Sequence, residues 1–281
     1  MHEELEFAKK LALESGKVML KYFNKEVKSR YKSDLSIVTI ADEEINRNVI
    51  SSISAQFPDH SVLGEEESSD KKSDKVWLCD PIDGTWPYAK GIPVASFSLA
   101  LVKQGVSQLG VVYDPFMKRL YSAVKGKGAF LNSKKILVSN LDTKHATVNM
   151  EWWPKAKYDI AATMHKFSID TSAYVLHLGS VITASCLVAS GQYEACVYAG
   201  TKGKSIDIAA IKVIVEEAGG KVTDLFGNEQ RYIQDIKGAV VSNGVIHEKI
   251  LEYTNGLGAT KKICISSLAS EFNSATRKVS S

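Results

Sequence analysis

Residues 75–102 read KVWLCDPIDGTWPYAKGIPVASFSLALV. Two apolar runs of strand character, KVWLC and VASFSLALV, flank a turn rich in Pro and Gly. In the second run Phe97, Leu99 and Leu101 alternate with Ser96, Ser98 and Ala100, the period-two pattern of a β-strand. Gly105 then turns the chain, and QLGVVYDP and RLYSAVKGKGAFLN continue a meander. Residues 60–135 are therefore predicted to form an antiparallel sheet.

Two helices are predicted before it. Over residues 3–23, Leu5, Ala8, Leu11, Ala12, Ser15, Val18, Met19 and Tyr22 share one face, with Glu and Lys opposite. Val38 and Ile40 alternate like a strand edge. Beyond them Ile45, Val49 and Ile53 recur every four residues, with Asp42 in position to cap that helix and Pro58-Asp59 to end it. From about residue 140 the rhythm changes. HATVNMEW, AYVLHLGS, YEACVYAG, KVTDLFGN and GAVVSNG read as strands; YDIAATMHKF, VITASCLVASGQ, SIDIAAIKVIVEEAGG and VIHEKILEYT read as helices. The third of these helices places Ile208, Ile211, Val215 and Ala218 on an inner face and stops at Gly-Gly. Strands alternating with helices indicate a layered α/β half. The expected organisation is an N-terminal α+β half over 1–138, a C-terminal α/β half over 139–256, and a Ser- and Lys-rich tail over 257–281.

The bulk composition excludes several function classes. The 281 residues are 44% apolar and 24% charged, typical of a globular chain. Thirty-five basic residues against 32 acidic ones leave a net charge of +3. That balance, without a massed basic patch, argues for neither a nucleic acid nor a membrane partner. Cys79, Cys186, Cys196 and Cys264 fit no zinc spacing and are too few for a disulfide scaffold. With no signal-peptide core and no apolar run of about 18 residues, a cytoplasmic protein is expected.

Chemistry concentrates where strands end. GEE supplies Glu65 and Glu66 past one strand, DPIDGT supplies Asp80 and Asp83 past another, and Asp207 opens the long helix. These are hard oxygen donors without accompanying His or Cys, a set suited to Mg²⁺ rather than zinc. Pro81 stiffens the turn. Gly84 lets the backbone approach a ligand, so that the amides of Gly84 and Thr85 can face an anion. Taken singly, each has an ordinary explanation: Asp-Pro and Asp-Gly are turn residues, GEEE is a solvated loop, and Asp207 is a helix cap.

Together, GEE, WLCDPIDGT and SIDIAAIKVIVEEAGG resemble the inositol monophosphatase family, within the wider group of lithium-sensitive, Mg²⁺-dependent phosphatases. KSDLSIVTIADEEIN, GSVITASCLVASGQYEA and GAFLN extend the resemblance over roughly residues 3–255. It implies the layered αβαβα sandwich, of α+β class, of inositol monophosphatases and fructose-1,6-bisphosphatases. It also implies a homodimer and two or three Mg²⁺ ions. Glu65, Asp80 and the carbonyl of Ile82 would hold the activating ion; Asp80, Asp83 and Asp207 a second; Glu65 would share a third. Thr85, linked to Asp42, would position the attacking water, and the amides of Gly84 and Thr85 would grip phosphate. Gly179, Ser180 and Val181 would line the alcohol side.

The implied activity is hydrolysis of inositol monophosphate or a related small polyol or sugar phosphate by metal-activated water. The alternatives are histidinol phosphate, fructose 1,6-bisphosphate or a 3′-phosphonucleotide as substrate, or a family member acting mainly as a regulatory binding partner. The chain departs from the family pattern at Trp86-Pro87, where Thr-Asn or Lys-Asn is usual, and at Ile206, where Trp is usual. Seven residues before Asp207, where inositol-preferring members carry a Glu, stands Gly200, followed by TKGKS. Lys202 and Lys204 there point either to a second anionic group on the substrate or to a solvated basic loop.

Overall fold

The computed structural model describes residues 1–25, 29–31, 36–152, 156–200 and 205–257. The predicted tail, Cys264 and the loop carrying Lys202 and Lys204 lie outside the described residues. Helix α1 (His2–Tyr22) is followed by a small hairpin of β1 (Ser29–Tyr31) and β2 (Ile37–Thr39), then by α2 (Ile40–Gln56). The strands β3 (Ser61–Gly64), β4 (Ser68–Ser69), β5 (Lys75–Asp83), β6 (Ser96–Lys103), β7 (Val106–Asp114), β8 (Arg119–Val124), β9 (Ala129–Leu131) and β10 (Lys134–Lys135) form one eight-stranded sheet. A five-residue helix, α3 (Thr85–Ala89), sits between β5 and β6.

The second sheet has five strands, β11 (Thr147–Glu151), β12 (Tyr174–Leu176), β13 (Ala195–Tyr198), β14 (Lys221–Thr223) and β15 (Ala239–Ser242), in the order β12-β11-β13-β15-β14. Its connections carry α4 (Ala161–Thr171), α5 (Val181–Ala189) and α6 (Ile206–Glu217), and α7 (His247–Thr254) follows β15. Helices α1 and α2 cover one face of the large sheet, and α5 and α6 lie between the two sheets. Helices α4 and α7 cover the outer face of the small sheet. The result is the αβαβα sandwich, with an apolar core in each of its interfaces. Among the described residues no helix is long and apolar enough to cross a membrane.

Three sequence expectations are corrected. The large sheet is not wholly antiparallel: β3 pairs with β5 in parallel, matching Gly64 to Cys79. Asp42 is not the cap of α2. Thr39 is, and Asp42 stands at the third helical position of a capping box, its carboxylate returning to the Thr39 backbone. Helix α6 shows no single inner face. Ile206–Ile211 and Val213–Val215 are all buried because a sheet lies on either side.

Candidate active site

Strand β5 carries the two aspartates at its C-terminal end, with an irregularity in its pairing to β6 between Asp80 and Asp83. Pro81 falls in that irregular step, where a missing N–H costs no ladder bond. Asp80 Oδ1 accepts the Ile82 amide at 3.0 Å, closing a tight local turn. The parallel pairing brings Glu65 beside this turn, its amide bonded to the Cys79 carbonyl at 3.2 Å. Burial holds the Cys79 thiol protonated, and the charges of Asp80 and Glu65 add to that effect.

The turn ends at Gly84, which adopts the left-handed conformation with φ +83°. A Cβ there would stand 2.6 Å from the Val94 carbonyl oxygen and 3.1 Å from Ser180 Cβ, so the position accepts only glycine. Thr85 follows at the start of α3. Its hydroxyl donates to the Ile82 carbonyl at 2.8 Å and lies 3.5 Å from Asp42 Oδ1. The other Asp42 oxygen is held by the Thr39 amide at 2.8 Å and the Thr39 hydroxyl at 2.5 Å. Burial pushes Asp42 up to about 7; the Thr39 hydroxyl opposes this and the Glu65 charge reinforces it.

Asp83 faces the middle layer. Its Oδ2 accepts the Ser180 hydroxyl and, at 2.8 Å, the Ile182 amide at the start of α5. Burial, and then the charge of Asp207, push Asp83 up to about 8. Asp207 lies in the first turn of α6, and its Oδ2 accepts the Tyr198 hydroxyl at 2.6 Å. The structure thus brings Asp42 to Thr85, Glu65 to the Asp80 turn, and Asp207 and Ser180 to Asp83. Val181 is buried in α5 behind them.

Among the described residues no three Asp, Glu, His or Cys side chains form a closed cluster, so the carboxylates converge in pairs. Such a set fits Mg²⁺, which takes one or two carboxylates, keeps several waters and completes its shell with phosphate oxygens. A cation between Asp83 and Asp207 would offset both causes of the raised Asp83 value. Gly200 is buried, and a Cβ on it would meet the Gly238 amide at 2.4 Å, so no carboxylate side chain fits there.

The sequence profile of the inositol monophosphatase family matches residues 1–259. The chain belongs to the inositol monophosphatase family. It is accordingly a phosphatase that hydrolyses phosphate monoesters. A fructose-1,6-bisphosphatase/inositol-1-monophosphatase of Thermotoga maritima is 32% identical over 257 residues, 90% of this chain and 96% of that protein. A solved inositol monophosphatase structure from Thermotoga maritima superposes with a TM-score of 0.81 at 31% identity, covering 90% of this chain and 97% of its own. An inositol monophosphatase/NADP phosphatase structure complexed with Mg²⁺ and phosphate gives a TM-score of 0.77 at 26% identity, covering 89% and 95%.

Three site residues escaped the sequence reading: Tyr198, Glu151 and His177. Tyr198 stands at the end of β13, opposite Glu151 at the end of β11. The TVNME and EACVY segments gave a strand signal and no chemical one, because each polar group closes an apolar run. Tyr198→Phe would let the Asp207 carboxylate turn. Should Asp207 hold an ion, a loss of about 10- to 100-fold in activity is expected, the usual cost of removing a bond that orients a ligand carboxylate. Initial rates check this, with a melting curve to confirm that the fold persists.

Proposed function

We propose that this phosphatase is a Mg²⁺-dependent phosphomonoesterase acting on inositol monophosphate or a related small polyol or sugar phosphate. The observation that carries the reading is the Asp83–Asp207 pair. A carboxylate whose affinity for protons is raised by burial and by the charge of a second, buried carboxylate beside it is a place for a cation. In the proposed site Glu65, Asp80 and the Ile82 carbonyl would hold one ion, and the Asp83–Asp207 pair, reached also by Asp80 once an ion is bound, would hold another. A carbonyl oxygen has two lone pairs, so Ile82 can serve an ion while accepting the Thr85 hydroxyl. When bound, the ions supply charge neutralisation of the phosphate and a lowered pKa for the attacking water.

The chain's own residues do the rest. Thr85 orients the water, and a rotation of its hydroxyl from Ile82 towards Asp42 Oδ1 opens a route for the water's proton. Asp42 suits that task because two of its donors come from Thr39 and hold only Oδ2. The amides of Gly84 and Thr85 leave the left-handed turn in the nest arrangement that binds an anion. Gly179 and Ser180 border the leaving alcohol. Support for the cofactor comes from the related structure that holds Mg²⁺ and phosphate.

The test is phosphate release from a panel of phosphomonoesters, with Mg²⁺ and then with a chelator. Hydrolysis of at least one polyol or sugar phosphate is expected, abolished by chelator and inhibited by lithium. Inactivity on every monoester in the presence of Mg²⁺ would sink the reading.

A further inference from the structure

The C-terminal ends of three neighbouring parallel strands, β12, β11 and β13, point to the same side of the small sheet. In parallel sheets that is the side on which ligands bind. Tyr198, at the end of β13, already belongs to the site through Asp207. Glu151 ends β11, and His177 is the first residue past β12. Glu151 is only 5% exposed. One of its oxygens accepts Asn149 Nδ2 and the Gly179 amide, each at 2.9 Å, and the other lies 2.9 Å from His177 Nε2.

The Asn149 carbonyl oxygen in turn accepts the Leu178 amide at 2.9 Å. Residues 177–180 are therefore clamped from behind by Glu151 and Asn149 and from the front by the Ser180–Asp83 bond. The Gly179 carbonyl lies 3.2 Å from a Cβ position on Gly84, and Pro87 Cγ lies 3.5 Å from one on Gly179. The clamped segment thus forms the wall facing the proposed phosphate turn.

The Glu151 oxygen facing the ring is an acceptor, so Nε2 is the donor of that bond. The hydrogen bond to Glu151 raises the His177 pKa. Half of the His177 side chain is exposed (49%), and its Nδ1 edge bonds no described residue. The imidazole is therefore fixed in orientation with its Nδ1 edge open, a polar atom that can pair with a hydroxyl, which both donates and accepts. With the Glu151 carboxylate against its other edge, the ring suits a neutral oxygen better than a second phosphate.

We propose that His177, held by Glu151, is a specificity-determining hydrogen-bond partner of a hydroxyl in the substrate's alcohol portion. This rests on the phosphomonoesterase reading given above. Glu151 is the positioning residue; His177 is the one that touches substrate.

The experiment compares kcat and KM for a polyol phosphate, inositol 1-phosphate, with those for p-nitrophenyl phosphate, whose leaving group has no aliphatic hydroxyl. The proteins are wild type, His177→Ala and His177→Asn, all with Mg²⁺. Losing a hydrogen bond and leaving its partner unpaired costs about tenfold or more. His177→Ala is therefore expected to lower the polyol-to-aryl ratio of kcat/KM by about that factor, chiefly through KM, and His177→Asn to recover part of it by keeping a side chain that can pair with a hydroxyl. An unchanged ratio in His177→Ala would overturn the proposal, and so would equal losses on both substrates, which mark a structural role. A wild type that hydrolyses only the aryl ester would overturn it too, while leaving the phosphatase reading in place. A wild type inactive on both would remove that reading and the proposal with it.

Discussion

Asp83→Asn is expected to lower turnover by at least about 10³-fold and to leave the metal-free protein as stable as the wild type or more so. The first half follows from charge. An amide cannot offset a divalent ion, and losing several kcal/mol of transition-state charge stabilisation is a thousandfold effect at about 1.4 kcal/mol per decade. The second half follows from burial. In the metal-free protein the Asp83 pKa is pushed up to about 8 by burial and by Asp207, against an ordinary value of about 3.9. Between those values the folded state holds more protons than the unfolded one, so stability falls as pH rises. Asparagine removes that slope and can still accept the Ile182 amide and the Ser180 hydroxyl. Thermal melts of both proteins with chelator at pH 5 and pH 8 check this. The wild type should lose stability over that interval and the variant should lose less. Near-normal turnover in the variant would mean that Asp83 holds no catalytic ion.

Local sequence revealed the elements and half of the site. The alternation from Ser96 to Lys103 is a strand wherever it lies, and both faces of that strand are buried because α1 covers one and α6 the other. The aspartates of DPIDGT stand out because one turn concentrates them. The parallel register of Gly64 with Cys79 was not legible, because nothing near Glu65 records which strand it will pair with. The same holds for Glu151, His177 and Tyr198. They lie at the ends of strands joined by long crossovers, so the meeting of Glu151 and His177 across 26 residues leaves no spacing signal. Asp42 lies in the first turn of α2, as its sequence context indicates, and is not the cap. Thr39, three residues earlier, serves as cap because its hydroxyl can face the buried carboxylate. Helix α6 gave a one-sided pattern only because helical periodicity cannot report a second sheet on the opposite face.

That second sheet makes Gly110 a position where a small change should cost much. Across β6, β7 and β8 the pairing aligns Ala100, Gly110 and Ala123, a row of small residues. Helix α6 settles against this strip. A Cβ on Gly110 would stand 2.5 Å from the Ala210 carbonyl oxygen and 2.9 Å from Ala210 Cα. Both are backbone atoms, which cannot swing aside as a side chain can. Gly110→Val must therefore lift the helix or bend the central strand, with a stability loss of about 3 kcal/mol or more, the upper end of ordinary overpacking. In a chain of this size that lowers the melting temperature by roughly 6–12 °C. Gly256→Ala, where a Cβ meets nothing within 4 Å, is the control and should melt close to the wild type. The lift also has a chemical readout. Ala210 sits one turn from Asp207, so moving it shifts the carboxylate that faces Asp83. Residual activity of Gly110→Val, measured well below its melting point, should then fall by more than its folded fraction explains. A wild-type melting temperature in that variant would show that α6 does not rest on the Gly110 strip.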